Sequence, residues 1–144
     1  MSALRYRPAR ASDLESVYRL VCDLEGESLP RQAFSEIFAA QLASDCWHCF
    51  VCADGDAVVG LLNLRIEAQL HHAARVAEVL ELVVDPACRG LGIGSELLRL
   101  ARECAAENDC VLIEAACNLH RTNAHRFYQR EGMSADHYRF SLRL

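Results

Sequence analysis

The sequence predicts an α/β domain in which a mixed β-sheet is flanked by helices on both faces. Three observations carry that prediction. Apolar residues recur at helical spacing over 14–22 and again over 94–105. Between them, from 46 to 84, the pattern changes to alternating and β-branched runs broken by turn residues. A glycine-rich loop then joins the last of those runs directly to the second helical stretch.

Each element has a local reason. LRYRPA (4–9) alternates as a short strand. Ser12 and Asp13, with Glu15 behind them, signal a helix start, and Leu14, Val17, Tyr18, Val21 and Cys22 follow at helical spacing. A second helix is predicted from Pro30 through Phe34, Ile37, Phe38 and Leu42. CWHCFVCA, a turn at Asp54-Gly55-Asp56, and AVVGLLNLRIEA read as a β-hairpin. The loop QLHHAA leads to the strand ARVAEVLELVV, which Asp85-Pro86 stops. The helix after the glycine loop carries its stripe on Gly94, Leu97, Leu98, Ala101, Cys104 and Ala105. CVLIEAA (110–116) is a further predicted strand. Polar residues at 120–123 open a last helix with Ala124, Phe127, Tyr128 and Glu131 on one face, and Gly132 closes it. HYRFSLRL is predicted to end the chain as a strand, for an order of β-α-α-β-β-β-α-β-α-β.

At 144 residues the chain suits one domain spanning 1–144. No run approaches the roughly 18 apolar residues of a membrane-spanning helix. The start, MSALRYRPARASD, lacks the pattern of a secretion signal, so a cytoplasmic protein is expected. A formal net charge of −5 speaks against a general nucleic-acid binder. Eight cysteines is a high count, and Cys46, His48, Cys49 and Cys52 form its tightest cluster. On a strand Cys49 points away from the other three, and no second ligand pair completes a zinc set, so structural cysteines are expected.

The glycine loop is the most informative stretch. A strand that delivers a glycine loop to a helix N-terminus builds an anion site from unpaired N–H groups and the positive end of the helix dipole. Ser95 adds a hydroxyl and Arg89 a fixed charge. A Walker loop requires lysine, and all fifteen basic residues here are arginine. A dinucleotide fingerprint requires GxGxxG in the first βα unit, whereas this loop lies past mid-chain as GxGxG. Arg-x-x-Gly-x-Gly is matched at every fixed position by Arg89-Gly90-Leu91-Gly92-Ile93-Gly94.

In that motif and in its element order the sequence resembles the GCN5-related N-acetyltransferase (GNAT) superfamily. QLHHAARVAEVLELVV (69–84), NLHRTNAHRFYQREGM (118–133), SDLESVYRLVCDLEGE (12–27) and HYRFSLRL look most like its aminoalkylphosphonate N-acetyltransferase branch. The resemblance departs at Met133, where an aromatic residue commonly stands, and over 28–50. It implies the GNAT fold and acetyl transfer from acetyl-CoA to a small primary amine. It further implies a pyrophosphate held by residues 89–95, and frequent homodimers. Other acceptors (a polyamine, an amino acid or a protein N-terminus) and a non-catalytic acyl-CoA-binding module are the alternative readings.

Transfer to an amine requires a base, because an alkyl amine with pKa near ~10 is mostly protonated at neutral pH. Glu78 and Glu81 lie three apart on a predicted strand, which by strict alternation sets them on opposite faces. Glu81, nearer the glycine loop, is the favoured base and Glu78 the alternate. The resemblance implies a carbonyl-polarising N–H among Leu82, Val83 and Val84. It also implies Tyr128 as the acid that protonates the leaving thiolate, and Asn118 and Asn123 as partners of the pantetheine arm. His71 and His72, with Arg75 and Arg65 near them in sequence, are the candidates for an acidic group on the acceptor. The histidine pair could also ligate a divalent metal, but no clean third ligand is evident and the metal is left unassigned.

Overall fold

A computed structural model describes residues 3–144; Met1 and Ser2, the first two residues of the N-terminal stretch discussed above, lie outside it. Residues up to Glu114 and residues from Ala115 form two compact units. The first contains the sheet. Strand β1 (Leu4–Pro8) is followed by helices α1 (Leu14–Glu25) and α2 (Arg31–Leu42), then by β2 (Trp47–Asp54), β3 (Ala57–Gln69) and β4 (Ala74–Val84). Helix α3 (Ile93–Glu107) and strand β5 (Cys110–Ala115) complete the sheet, whose spatial order is β1-β2-β3-β4-β5. Neighbours from β1 to β4 are antiparallel. The α3 crossover then returns the chain to lay β5 beside β4, the connection that a parallel neighbour requires, and the sheet is mixed.

Helix α1 starts where Asp13 folds back on the chain. Its carboxylate accepts from the Arg10 N–H at 2.9 Å and from both terminal nitrogens of Arg7 at 2.8 and 2.9 Å. Gly26, at φ 73°, ends the helix in the left-handed conformation. Val17, Leu20 and Phe38 then pack on Val51, Leu61 and Val83, so α1 and α2 cover one face of the sheet. Ile37, predicted on the apolar stripe of α2, is instead 58 % exposed. The other face belongs to α3. At Gly60 an added Cβ would stand 2.9 Å from Ile93 Cγ2, so the glycine lets the first turn of α3 sit hard against β3.

The second unit carries helix α4 (Thr122–Arg130), with Ala124, Phe127, Tyr128 and Glu131 all half-buried, as the periodicity predicts. Gly132, at φ 91°, lies just past its end. The predicted terminal strand does not form: HYRFSLRL is irregular, and Tyr138, Phe140, Leu142 and Leu144 stand exposed. Alternation shows that a stretch could present one apolar face. It does not supply the neighbouring ladder that a strand needs.

Candidate active site

The site is built on the face of the sheet beneath α1 and α2. Cross-strand register sets three rows there: Val51, Leu61 and Val83; then Cys49, Asn63 and Glu81; then Trp47, Arg65 and Glu78. The first row is core. The second and third replace core with polar chemistry.

The register holds a β-bulge. Asn63 pairs with Glu81 while the adjacent Leu64 pairs with Val79, which leaves Leu80 without a partner on β3. The extra residue cancels one step of alternation. Glu78 and Glu81 therefore share a face, which corrects the expectation of opposite faces.

Their surroundings tell them apart. Glu78 accepts from Arg65 Nη2 at 2.5 Å in an ion pair. Glu81 has no cationic partner among the described residues; its Oε1 accepts from Asn63 Nδ2 at 2.8 Å. Burial pushes the Glu81 carboxyl above its ordinary pKa; the Asn63 hydrogen bond opposes that shift and the charge of Glu25 adds to it. The side chain is nonetheless only half-buried. A partly accessible carboxylate with a raised pKa is suited to take a proton.

Beside this row lies a cavity of about 170 Å³, walled by Phe38, Gln41, Trp47, His48, Cys49 and Asn63. Burial, together with the charges of Glu81 and Asp13, pushes the Cys49 thiol up to about 12, so this wall is no nucleophile. His48 Nε2 and Asn63 Oδ1 are buried with no hydrogen-bond partner among the described residues.

Arg65 closes the third row. Its guanidinium carbon lies 5.9 Å from the Trp47 ring centroid. Nε stands 3.2 Å from Glu67 Oε1, an ion pair without a hydrogen bond. His71 and His72 lie elsewhere. They occupy the exposed turn at the tip of the β3–β4 hairpin, their rings 4.2 Å apart, with His72 Nδ1 2.8 Å from Gln69 Oε1. Arg75 is exposed at the same end of β4. From Ala74 to Glu81 the strand runs about 20 Å, so the histidines and Arg75 are not brought to Glu81; of the four candidates only Arg65 is. A long ribbon carries its turn away from its base. Among the described residues no three His, Cys, Asp or Glu side chains converge where a metal ion could bind.

At the other end of β4 the strand feeds the glycine loop. Asp85 caps the turn, accepting from the Ala87 N–H at 3.0 Å, and its own N–H donates to Val59 O at 2.8 Å. Alternation then directs the Leu82 and Val84 N–H groups to the opposite edge of β4, and the Val83 N–H to β3. Gly90 and Gly92 adopt φ of 81° and 77°, and a Cβ built on either would meet nothing within 4 Å. Arg89 to Ser95 thus run through open backbone at Gly90 and Gly92 into the N-terminus of the fifteen-residue α3, whose first residue, Ile93, is buried. That arrangement fits a phosphate or diphosphate.

In the second unit, burial chiefly pushes the Tyr128 phenol up to about 12, with the charge of Cys117 adding and that of Arg121 opposing. Its ring meets Phe127 edge-on at 5.3 Å. Asn118 shapes the turn before α4, its carbonyl lying 2.8 Å from His125 Nε2. Asn123, in the first turn, accepts from Arg126 Nη1 at 3.4 Å.

Sequence reasoning missed Asn63 and Gln41. A signal for the first existed: it is a lone amide inside the apolar run VVGLLNLRI.

Residues 14–133 match the sequence model of the Acetyltransferase (GNAT) family. Over all 144 residues the chain is 41% identical to an aminoalkylphosphonate N-acetyltransferase of Salmonella typhimurium, and the match covers 94% of that protein. A crystal structure described as a transcriptional regulator from Bacillus halodurans superposes with a TM-score of 0.91 at 25% identity, covering 99% of this chain and 100% of that one. An aminoglycoside N-acetyltransferase, AAC(6')-Iy, solved with CoA, superposes at 0.89 with 16% identity, covering 100% and 96%.

Proposed function

The chain belongs to the acetyltransferase (GNAT) family, and on that premise we propose that it transfers the acetyl group of acetyl-CoA to the amine of a short aminoalkylphosphonate. The observation that carries the substrate class is the 41% identity, over the full chain, to an enzyme of that description.

Acetyl-CoA supplies the acyl group and departs as the thiol. Residues 89–95 hold its pyrophosphate, with backbone N–H groups and the Arg89 charge as the attractive elements. Asn118 and Asn123 are assigned to the pantetheine arm on family resemblance. Glu81 takes the proton that the amine sheds as its nitrogen bonds to the acyl carbon. The Leu82 or Val84 N–H stabilises the oxygen that gains charge, a contribution typically worth ~3 kcal/mol. Tyr128 gives its hydroxyl proton to the sulfur as the carbon–sulfur bond breaks; a phenol raised to about 12 arrives protonated. The acceptor approaches through the cavity walled by Gln41, Trp47 and Asn63, and Arg65 holds the phosphonate. Arginine has five N–H donors in a planar fork, so its carboxylate partners do not exhaust it. Eight unpaired cysteines suit a reducing compartment, which supports a cytoplasmic location.

Two results test this reading. Gly92→Val places a β-branched side chain at a left-handed position and into the open loop. Calorimetry should show acetyl-CoA affinity down tenfold or more, with a stability loss of about 1–3 kcal/mol; unchanged affinity would remove the loop from the site. The acceptor is tested by kcat/KM for 2-aminoethylphosphonate against ethanolamine and ethylamine. The phosphonate should be preferred by about 2 kcal/mol, roughly 30-fold, the worth of a charged hydrogen bond. Equal turnover would refute the phosphonate and leave the acetyltransferase standing.

A further inference from the structure

We propose that Asn63 is a positioning residue for the reaction: its amide holds the Glu81 carboxylate by one oxygen and leaves the other for the acceptor's proton. The proposal rests on the reading of Glu81 as the base.

Asn63 is 6% exposed in the middle of β3, between leucines at 61, 62 and 64 that are fully buried. An amide there is costly unless its hydrogen bonds are made. The Nδ2 group makes two, to Glu81 Oε1 at 2.8 Å and to Gln41 Oε1 at 3.0 Å, while Oδ1 makes none among the described residues. A leucine at this position would extend the apolar row and bury no orphan oxygen. The residue is therefore a poor choice for stability alone, and the titratable group it touches is Glu81.

The geometry is that of a clamp. Gln41 fixes the amide from α2, so the Asn63 rotamer is set independently of the carboxylate it holds. Asn63 and Glu81 are directly opposed in register, immediately beside the bulge that turns Glu81 onto this face. Facing the Glu81 carboxyl are Asn63 from β3, Cys49 from β2 and the charge of Glu25 from α1; Glu78, on its own strand, is occupied by Arg65. Among the described residues Asn63 is thus the one hydrogen-bond donor at that carboxylate, and it opposes both burial and Glu25. Its removal should make the carboxylate harder to ionise as well as freer to rotate.

The test compares the pH dependence of kcat/KM for the parent, Asn63→Leu, Asn63→Asp, Glu81→Gln and the Asn63→Leu/Glu81→Gln double variant, with acetyl-CoA affinity measured for each. Asn63→Leu should lower kcat about tenfold and raise the acid limb of the profile by about one pH unit, the worth of one hydrogen bond to a charge. Its acetyl-CoA affinity should be unchanged. Asn63→Asp keeps the shape and polarity of the side chain, so it remains informative if the leucine variant folds poorly; its second carboxylate should raise the limb further. In the Glu81→Gln background Asn63→Leu should add nothing, since the residue acts only through Glu81. An acid limb unmoved in both Asn63 variants would overturn the positioning role. So would the same loss of rate from Asn63→Leu in both backgrounds. Parent-like rates in Glu81→Gln would overturn the base reading itself, and this proposal with it.

Discussion

Replacing Glu81 with glutamine should lower kcat/KM for the amine by about 10²–10⁴-fold, the range of a positioned general base, and leave acetyl-CoA binding intact. Glutamine keeps the size of the side chain and an oxygen to accept from Asn63, so the row Cys49, Asn63, Glu81 survives the change. In the parent the pKa of Glu81 is raised chiefly by burial. The base works only when ionised, so activity is present above that raised pKa and lost as pH falls through it. The stability effect has the opposite sign. A carboxyl whose folded pKa exceeds its unfolded value contributes fully at pH below the unfolded value, and the contribution is lost as pH rises through the folded one. At neutral pH Glu81→Gln should therefore melt no earlier than the parent. Thiol-release kinetics, calorimetry and a thermal melt check the three parts, and a rate within twofold of the parent would end the role assigned to Glu81.

Tyr128→Phe should act on the same scale, about 10²–10⁴-fold on kcat. The ring and its edge contact with Phe127 remain, and only the donor is removed. Because the phenol is pushed up to about 12, Tyr128 stays protonated across the neutral range, and the loss should be a constant factor from pH 6 to 9. That signature separates it from Glu81, whose effect bends the acid limb. An acid limb displaced by Tyr128→Phe, or a rate within twofold of the parent, would make Tyr128 a packing residue.

What the sequence made legible was what is local. Asp54-Gly55-Asp56 between two apolar runs specified the β2–β3 hairpin, and the glycines at 90 and 92 marked a loop that opens α3. The buried stripe of α3, Leu97, Leu98, Ala101, Cys104 and Ala105, follows from a period of 3.6. What stayed hidden depends on pairing. A period of two cannot reveal that Leu80 is skipped, so it set Glu78 and Glu81 on opposite faces when they share one. Nor can it show that Arg65 is occupied by Glu78 and stacked near Trp47. The alternation of HYRFSLRL was real as a pattern, but no ladder formed on it.

The unpaired Leu80 also makes β4 a strand with one residue too many. Were it excised, Val79 and the present Glu81 would become neighbours in an uninterrupted ladder, and every side chain from 74 to 84 would keep the face it now occupies. Shortening at this one point thus spares the inside-out pattern that a deletion elsewhere in β4 would reverse beyond the cut. It would remove only the local bend and added twist that a bulge brings. The strand can accordingly be straightened without being rewritten. Shape and composition in this part of the sheet are thereby separable: the same carboxylates, amide and arginine could be presented on two backbones that differ by a single amino acid.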